Sequence, residues 1–248
     1  MKDTAPPDVA ARLAVRERPD GMPIMYQSWD KLLFMHWPIR TDALRHHIPE
    51  RLHIDTFDGQ AWIAITPFTV RDARPVFVPP LPWVSDFHET NVRTYVYIDG
   101  VPGVWFFSLD ANSLVAVLGA RAFFSLPYHE AEIQLEQKDQ TIDYVASRKD
   151  AAAPAEFRAT WTIGPDLPQA EPGSLEFFLV ERYCLYTSSA GKLYRCRIHH
   201  RPWPLQQPQL SAYHSSIVEA DGLPTPAGQP LLHAGGPVDV DVWPLEEI

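Results

Sequence analysis

The chain has 248 residues, 46% of them apolar and eight of them tryptophan, which allows one or two domains with a sizeable core. A formal charge of −10 without a basic stripe disfavours nucleic acid as a partner. Twenty-five prolines against twelve glycines suit many short strands with rigid corners better than long helices.

Residues 1–22 carry alternating charges without apolar periodicity and are read as a mobile arm, ahead of one domain over 23–248. The N-terminus lacks the apolar centre of a signal peptide, and no apolar run approaches the ~20 residues that span a bilayer. Cys184 and Cys196 are the only cysteines and make no CxxC. The expected setting is soluble, reducing and cytoplasmic, without a membrane partner.

KLLFMHWPI (31–39) is a continuous apolar run and reads as a buried strand, with Pro38 marking its end or an edge. TDALRHHIPERL follows as a short helix capped by Thr41 or Asp42 and stopped by Pro49. Asp58-Gly59 is a turn, and QAWIAITPFTV is a strand whose two faces are both coverable. ARPVFVPPLPWVSDF is a proline-rich loop, either an ordered flap over a cavity or a rigid surface connector.

The most informative stretch is 87–130. NVRTYVYI alternates Asn91, Arg93, Tyr95 and Tyr97 with Val92, Thr94, Val96 and Ile98, which is a strand with two different faces. Asp99-Gly100 turns the chain and VPGVWFFSL returns as its partner. Residues 110–122 predict a central helix with Leu114, Leu118 and Ala122 on its buried face, and Pro127 ends the segment. Beyond it, residues 130–148 resemble a solvated antiparallel hairpin and EFRATWTI a further strand. Ser174 caps a short amphipathic helix LEFFLVERY, LYRCRIHHRPWPLQ is a strand running into a proline corner, and the tail reads as turn-rich.

Ionisable groups in so apolar a stretch require partners, either each other or a ligand. Glu89, Asn91, Arg93 and Tyr95 fall at a spacing of two and share one face of a regular strand. Arg93 is a fork for a ligand carboxylate, or it pairs with Glu89 and fixes register. A buried Glu89 has the chemistry of a general acid or base. Arg121 either binds a ligand carboxylate or closes its helix as a C-terminal cation. The pairs His46-His47 and His199-His200 lack metal-ligand spacing, so no metal is expected, and no cofactor fingerprint or G-x-S-x-G motif is present.

Several strings carry a family resemblance: NVRTYV, PGVWFFSLDA, ARAFFSLPY, SLEFFLVERY and HRPWPL. Together they resemble the YqjF-like family (domain of unknown function 2071) over roughly residues 29–210. More distantly, TDALRHHIPERLHID, Phe87-His88-Glu89 and ARAFFSLPYHEA are similar to segments of acetoacetate decarboxylase. The resemblance implies a mainly β fold, a closed decarboxylase-like barrel or cone around a central cavity with a few short helices. It matches Glu89 and Arg121 to active-site positions. It also places Tyr128 and His129 where the decarboxylase has its Schiff-base lysine and the neighbour that lowers that lysine's pKa. Tyrosine forms no imine, and by the same resemblance another active-site carboxylate of the decarboxylase falls near Ala64 and is missing here. The expectation is therefore a cavity for a small organic acid or carbonyl compound. Glu89, Tyr128 and His129 are its candidate acid–base groups, and Arg93, Arg121, Asn91 and Tyr95 its candidate binding groups. A non-catalytic binding protein, or a protein-interaction role for the loop Arg74–Trp83, is the alternative. Self-association is compatible with either.

Overall fold

The apolar run 32–39 lacks the in–out alternation of a half-exposed strand because both of its faces are covered. In the computed structural model, which describes residues 5–81 and 84–248, it forms strand β2 (Leu32–Ile39). Leu33, Met35 and Trp37 enter one hydrophobic core, and Leu32 and Phe34 enter another. The next long strands divide in the same way. β4 (Ala61–Pro75) sends Ile63 and Ile65 to the first core and Phe68 and Val70 to the second. β5 (Phe87–Ile98) sends Val92, Val96 and Ile98 to the first and Phe87 and Tyr95 to the second.

Pairing explains the two cores. β1 (Met25–Asp30) pairs with the last part of β4, whereas β2 pairs with its first part. β6 (Val101–Ala111) follows β5 antiparallel after the Asp99-Gly100 turn. Both turn residues have positive φ, as do Asp58 and Gly59, the geometry that matches strand twist in a two-residue turn. β6 then pairs in parallel with two strands, β7 (Tyr128–Lys138) and β10 (Cys184–Ser189). From β7 the ladder runs through β8 (Thr141–Arg148), β9 (Glu156–Asp166), β12 (Leu205–Ser215) and β13 (Leu231–Gly235) back to β2. From β10 it runs through β11 (Lys192–His199) and β14 (Val238–Glu247) back to β1. The result is one twisted sheet closed into two rings that share β4, β5 and β6. β3 (His53–Ile54) adds a short pairing on β5.

The helices are short. α2 (Thr41–Arg45) and α5 (Ile217–Ala220) lie over the first core, to which Leu44, Ile217 and Val218 belong. α4 (Leu175–Val180) is capped by Ser174, whose Oγ accepts from the Phe177 amide. It is buried all round at Phe177, Phe178, Leu179 and Val180, so it is not amphipathic. Among the described residues no helix is long and apolar enough to cross a membrane.

Several expectations are corrected. Within residues 5–22, Arg12, Val15 and Arg18 make specific contacts with the rest of the chain. α1 (Val9–Ala14) is capped by Asp8, Val15 is buried, and Arg12 forks the fully buried Asp55 at 2.7 and 2.8 Å. Arg18 pairs with Asp241 of β14, so two of the cations of this segment have carboxylate partners in the body of the protein. α3 (Leu114–Phe124) begins after Ser113, because Asp110 and Ala111 continue β6 in register with β7. Its Leu114, Val115, Leu118 and Phe123 are exposed and only Val117 is buried, so it caps the sheet instead of crossing a core. Neither Thr41 nor Asp42 caps α2; Arg40 holds the N-cap position without a side-chain capping bond. The hairpin β7–β8 is solvated on one face only, since Ile133, Ile142, Tyr144 and Ala146 enter the first core. The turn-rich tail contains β13 and β14, strands that close the two rings. In the proline-rich loop Phe77, Val78 and Leu81 are exposed, while Trp83 lies outside the described residues.

Candidate functional site

The face of β5 that carries Phe87 and Tyr95 also carries Glu89, Asn91 and Arg93, and pairing supplies its neighbours. Glu89 is in register with Phe68 on β4 and Ala111 on β6. Asn91 lies between Thr66 and Leu109. Arg93 lies between Ala64 and Phe106, with a bulge that skips Phe107. On the far side of Ala64 stands His36 of β2. His36, Ala64 and Arg93 thus form one row across three strands, with the smallest side chain in the middle.

Glu89 is 3% exposed and is held by two donors. Tyr128 Oη donates to Glu89 Oε2 at 2.6 Å, and Asn91 Nδ2 lies 3.4 Å from Oε1. Burial dominates over these bonds and raises the carboxyl from its usual 4.5 to about 7. Burial and the neighbouring Glu89 also push the Tyr128 phenol well above its ordinary value, so it remains a donor. A carboxyl near 7 next to a fixed phenol is poised to take or give a proton at neutrality.

The expected Glu89–Arg93 pair does not form. Residues four apart on an extended strand are about 13 Å apart, and Tyr128 and Asn91 already occupy the Glu89 oxygens. Arg93 instead lies over the Phe34 ring at 5.3 Å and interacts with the Tyr95 hydroxyl. Among the described residues it has no carboxylate within ion-pair distance, and its buried Nε has no protein partner. Around it, His36 Nδ1, Trp62 Nε1, Thr66 Oγ1 and Asn91 Oδ1 are likewise buried without a protein partner. Buried polar atoms are paired in the great majority of cases, so a cluster of such atoms on one face marks a place for solvent or a ligand.

The remaining predicted residues divide. Tyr128 joins the site. Tyr95 borders it, but its hydroxyl is engaged by His36 Nε2 at 2.7 Å and the Leu179 carbonyl at 3.0 Å, and its ring lies under Arg182. Arg121 and His129 are elsewhere. Arg121 Nε donates to the Tyr128 carbonyl at 2.6 Å, and its guanidinium pairs with the exposed Asp150. His129 points to the other face of β7, with Nδ1 2.9 Å from the same Asp150. Adjacent strand residues face opposite ways, so Tyr128 and His129 cannot both reach Glu89. His36 and Thr66 were missed as site residues. The signal for His36 was present, since a lone histidine inside LLFMHWPI is buried wherever that run is buried.

Two other buried ionic clusters have their charges paired within the protein, although Arg182 Nη2 in the first is buried without a protein partner. Asp55 binds Arg12 and Arg182, and Arg148 bridges Asp110 and Asp221 at 2.7 and 3.0 Å. Two surface clefts, of about 460 Å³ beside Arg16, Arg201 and Trp203 and about 340 Å³ beside Trp105, Ser125 and Asp221, contain neither Glu89 nor Arg93.

The family model DUF2071, described as an uncharacterized conserved protein, matches residues 26–239. The chain belongs to the DUF2071 family. It is 43% identical over 229 residues to the "Uncharacterized protein YqjF" of Bacillus subtilis (strain 168), covering 92% of this chain and 94% of that one. Among solved structures it resembles the "Enduracididine biosynthesis enzyme MppR complexed with pyruvate", with TM-score 0.65, 12% identity and coverage of 92% and 91%. It also resembles an acetoacetate decarboxylase-like enzyme from Sphingomonas wittichii RW1, with TM-score 0.64, 11% identity and coverage of 92% and 94%. A third likeness is to the acetoacetate decarboxylase of Legionella pneumophila, with TM-score 0.61, 11% identity and coverage of 100% and 98%. At these identities the likeness establishes the fold, which is acetoacetate decarboxylase-like.

Proposed function

We propose that this DUF2071 protein binds a small organic acid or carbonyl compound on the shared wall of its two rings. Arg93 takes the acid group, and Glu89, steadied by Tyr128, is the group able to exchange a proton with the ligand. The observation that carries this reading is Arg93, a partly buried guanidinium with a buried, unpartnered Nε and, among the described residues, no carboxylate within ion-pair distance. A cation so placed is stabilised by an anion from outside the chain. The similarly folded MppR, complexed with pyruvate, supports a small acid as the class of ligand.

A Schiff-base route is set aside. The positions that resemble the decarboxylase lysines hold Tyr128 and His129. Lys149 and Lys192 pair with Glu130 and Glu247 on the exposed surface. The chemistry left to the site is proton transfer and electrostatic stabilisation without a covalent nitrogen intermediate.

Thermal-shift screening with small carboxylates tests the proposal. A stabilising hit is expected to vanish in Arg93→Met while the circular dichroism of that variant stays unchanged. Borohydride trapping with a keto acid is expected to label no lysine, and stable labelling would overturn the lysine-free route. If no carboxylate across a broad panel shifts the melting temperature, the acid-binding reading fails. The exposed Phe77, Val78 and Leu81 in the proline-rich loop favour a second reading, a partner-binding role for that loop.

A further inference from the structure

Building on the acid-binding reading, we propose that the ligand is a small hydroxy acid, with its carboxylate on Arg93 and its hydroxyl between Asn91 and His36. The assignment follows from which unpartnered atoms on the face donate and which accept. Arg93 Nε–H only donates. Asn91 turns its amide nitrogen to Glu89, which leaves Oδ1 as a buried acceptor. Tyr95 has one hydroxyl proton, and it goes to the Leu179 carbonyl, which can only accept. His36 Nε2, 2.7 Å from Tyr95 Oη, must therefore carry a hydrogen, and Nδ1 is left as a bare lone pair. Burial and the nearby Arg93 hold the His36 ring neutral.

The face thus offers two fixed donors, Arg93 and the Trp62 indole on the side away from Asn91, two fixed acceptors, and the adaptable hydroxyl of Thr66, which is in register with Asn91. An unsubstituted carboxylate answers Arg93 and leaves both acceptors facing apolar carbon. An oxo acid does worse, because it sets a carbonyl lone pair against them. An amino acid would bring a second cation beside Arg93 with only a half-neutral Glu89 to balance it. A hydroxyl supplies the missing donor without a charge.

The dimensions agree. Asn91 is two residues from Arg93 along β5, about 7 Å, and His36 is two strands away, about 10 Å, with only the Ala64 methyl between. These are backbone separations, and the three side chains extend inward from them, so a short acid of three to five carbons is the size that fits among their ends. Tyr95 is then a positioning residue, since it sets the His36 tautomer and touches no ligand atom.

Calorimetry on the full chain with propanoate, 2-oxopropanoate, 2-hydroxypropanoate and 3-hydroxypropanoate tests the inference. One of the hydroxy acids is expected to bind about 10-fold or more tightly than the unsubstituted and oxo acids, since an unanswered buried acceptor is what rejects the analogue. Asn91→Leu and His36→Phe are expected to reduce that preference to about 2-fold or less while propanoate still binds. In the unaltered protein, nitrogen-15 NMR should report His36 protonated at Nε2. Equal affinities across the series, tighter binding of the oxo acid, or a His36 protonated at Nδ1 would overturn the hydroxy-acid assignment alone. No binding by any of the acids would overturn the acid-binding reading as well.

Discussion

Replacing Glu89 by glutamine removes a buried carboxyl and leaves its shape, and the consequence can be worked out in sign and size. The folded state raises this group from 4.5 to about 7 through burial, against the pull of Tyr128 and Asn91. Below about pH 4.5 it is protonated in both states and has no effect on folding. Between about 4.5 and 7 the unfolded chain has released the proton and the folded chain has not, so stability falls as pH rises. Above about 7 the loss is complete, at about 3 kcal/mol for a shift of this size. Glu89→Gln has no such titration. Urea unfolding of both proteins from pH 4.5 to 8.5 should therefore show the variant gaining about 3 kcal/mol on the unaltered protein across that window. Other titrating groups cancel in the difference. Tyr128→Phe removes a donor to the carboxylate and should carry the sloping region to higher pH. A flat difference curve, or one in which the unaltered protein gains with rising pH, would refute a buried, proton-holding Glu89.

Two further predictions concern the frame around the site. Asp55→Ala strands Arg182 between the rings of Tyr95 and Phe178 at 4.7 and 4.3 Å and should lower the unfolding free energy by about 3–5 kcal/mol. Arg12→Ala should lower it by less and expose residues 5–22 to limited proteolysis, and the reverse order of effects would contradict the assigned roles. On α3, Leu118→Glu at a 55% exposed position should change stability by about 0.5 kcal/mol or less, whereas Val117→Ala, 1% exposed, should cost roughly 1–3 kcal/mol by denaturant titration.

Much of the strand map is local information and was readable. The run 32–39, the turns at Asp58-Gly59 and Asp99-Gly100 and the alternation from Asn91 to Ile98 follow from side-chain period and turn chemistry. The helix at 114–124 misled for a physical reason. Its leucines repeat at a buried spacing, but the preceding residues Asp110 and Ala111 pair with β7, and this rotates Val117 inward and the leucines outward. The ion pairs of Arg12 and Arg18 were not legible because their partners, Asp55 and Asp241, lie far along the chain.

The site shows the same division. Residue order alone put Glu89, Asn91, Arg93 and Tyr95 on one face, and the resemblance singled out Tyr128. Alternation on a strand already meant that Tyr128 and His129 point apart. Which of the two meets Glu89 depends on the parallel pairing of β6 with β7, a contact between segments joined through α3. The separation of Glu89 from Arg93, the rise of the Glu89 carboxyl to about 7, and the row His36–Ala64–Arg93 are likewise products of assembly. Sequence by itself determined many of the strands and the residues able to do chemistry. Tertiary structure decided which of those residues share a wall, because register between distant strands and the burial that shifts a proton equilibrium exist only once the rings close.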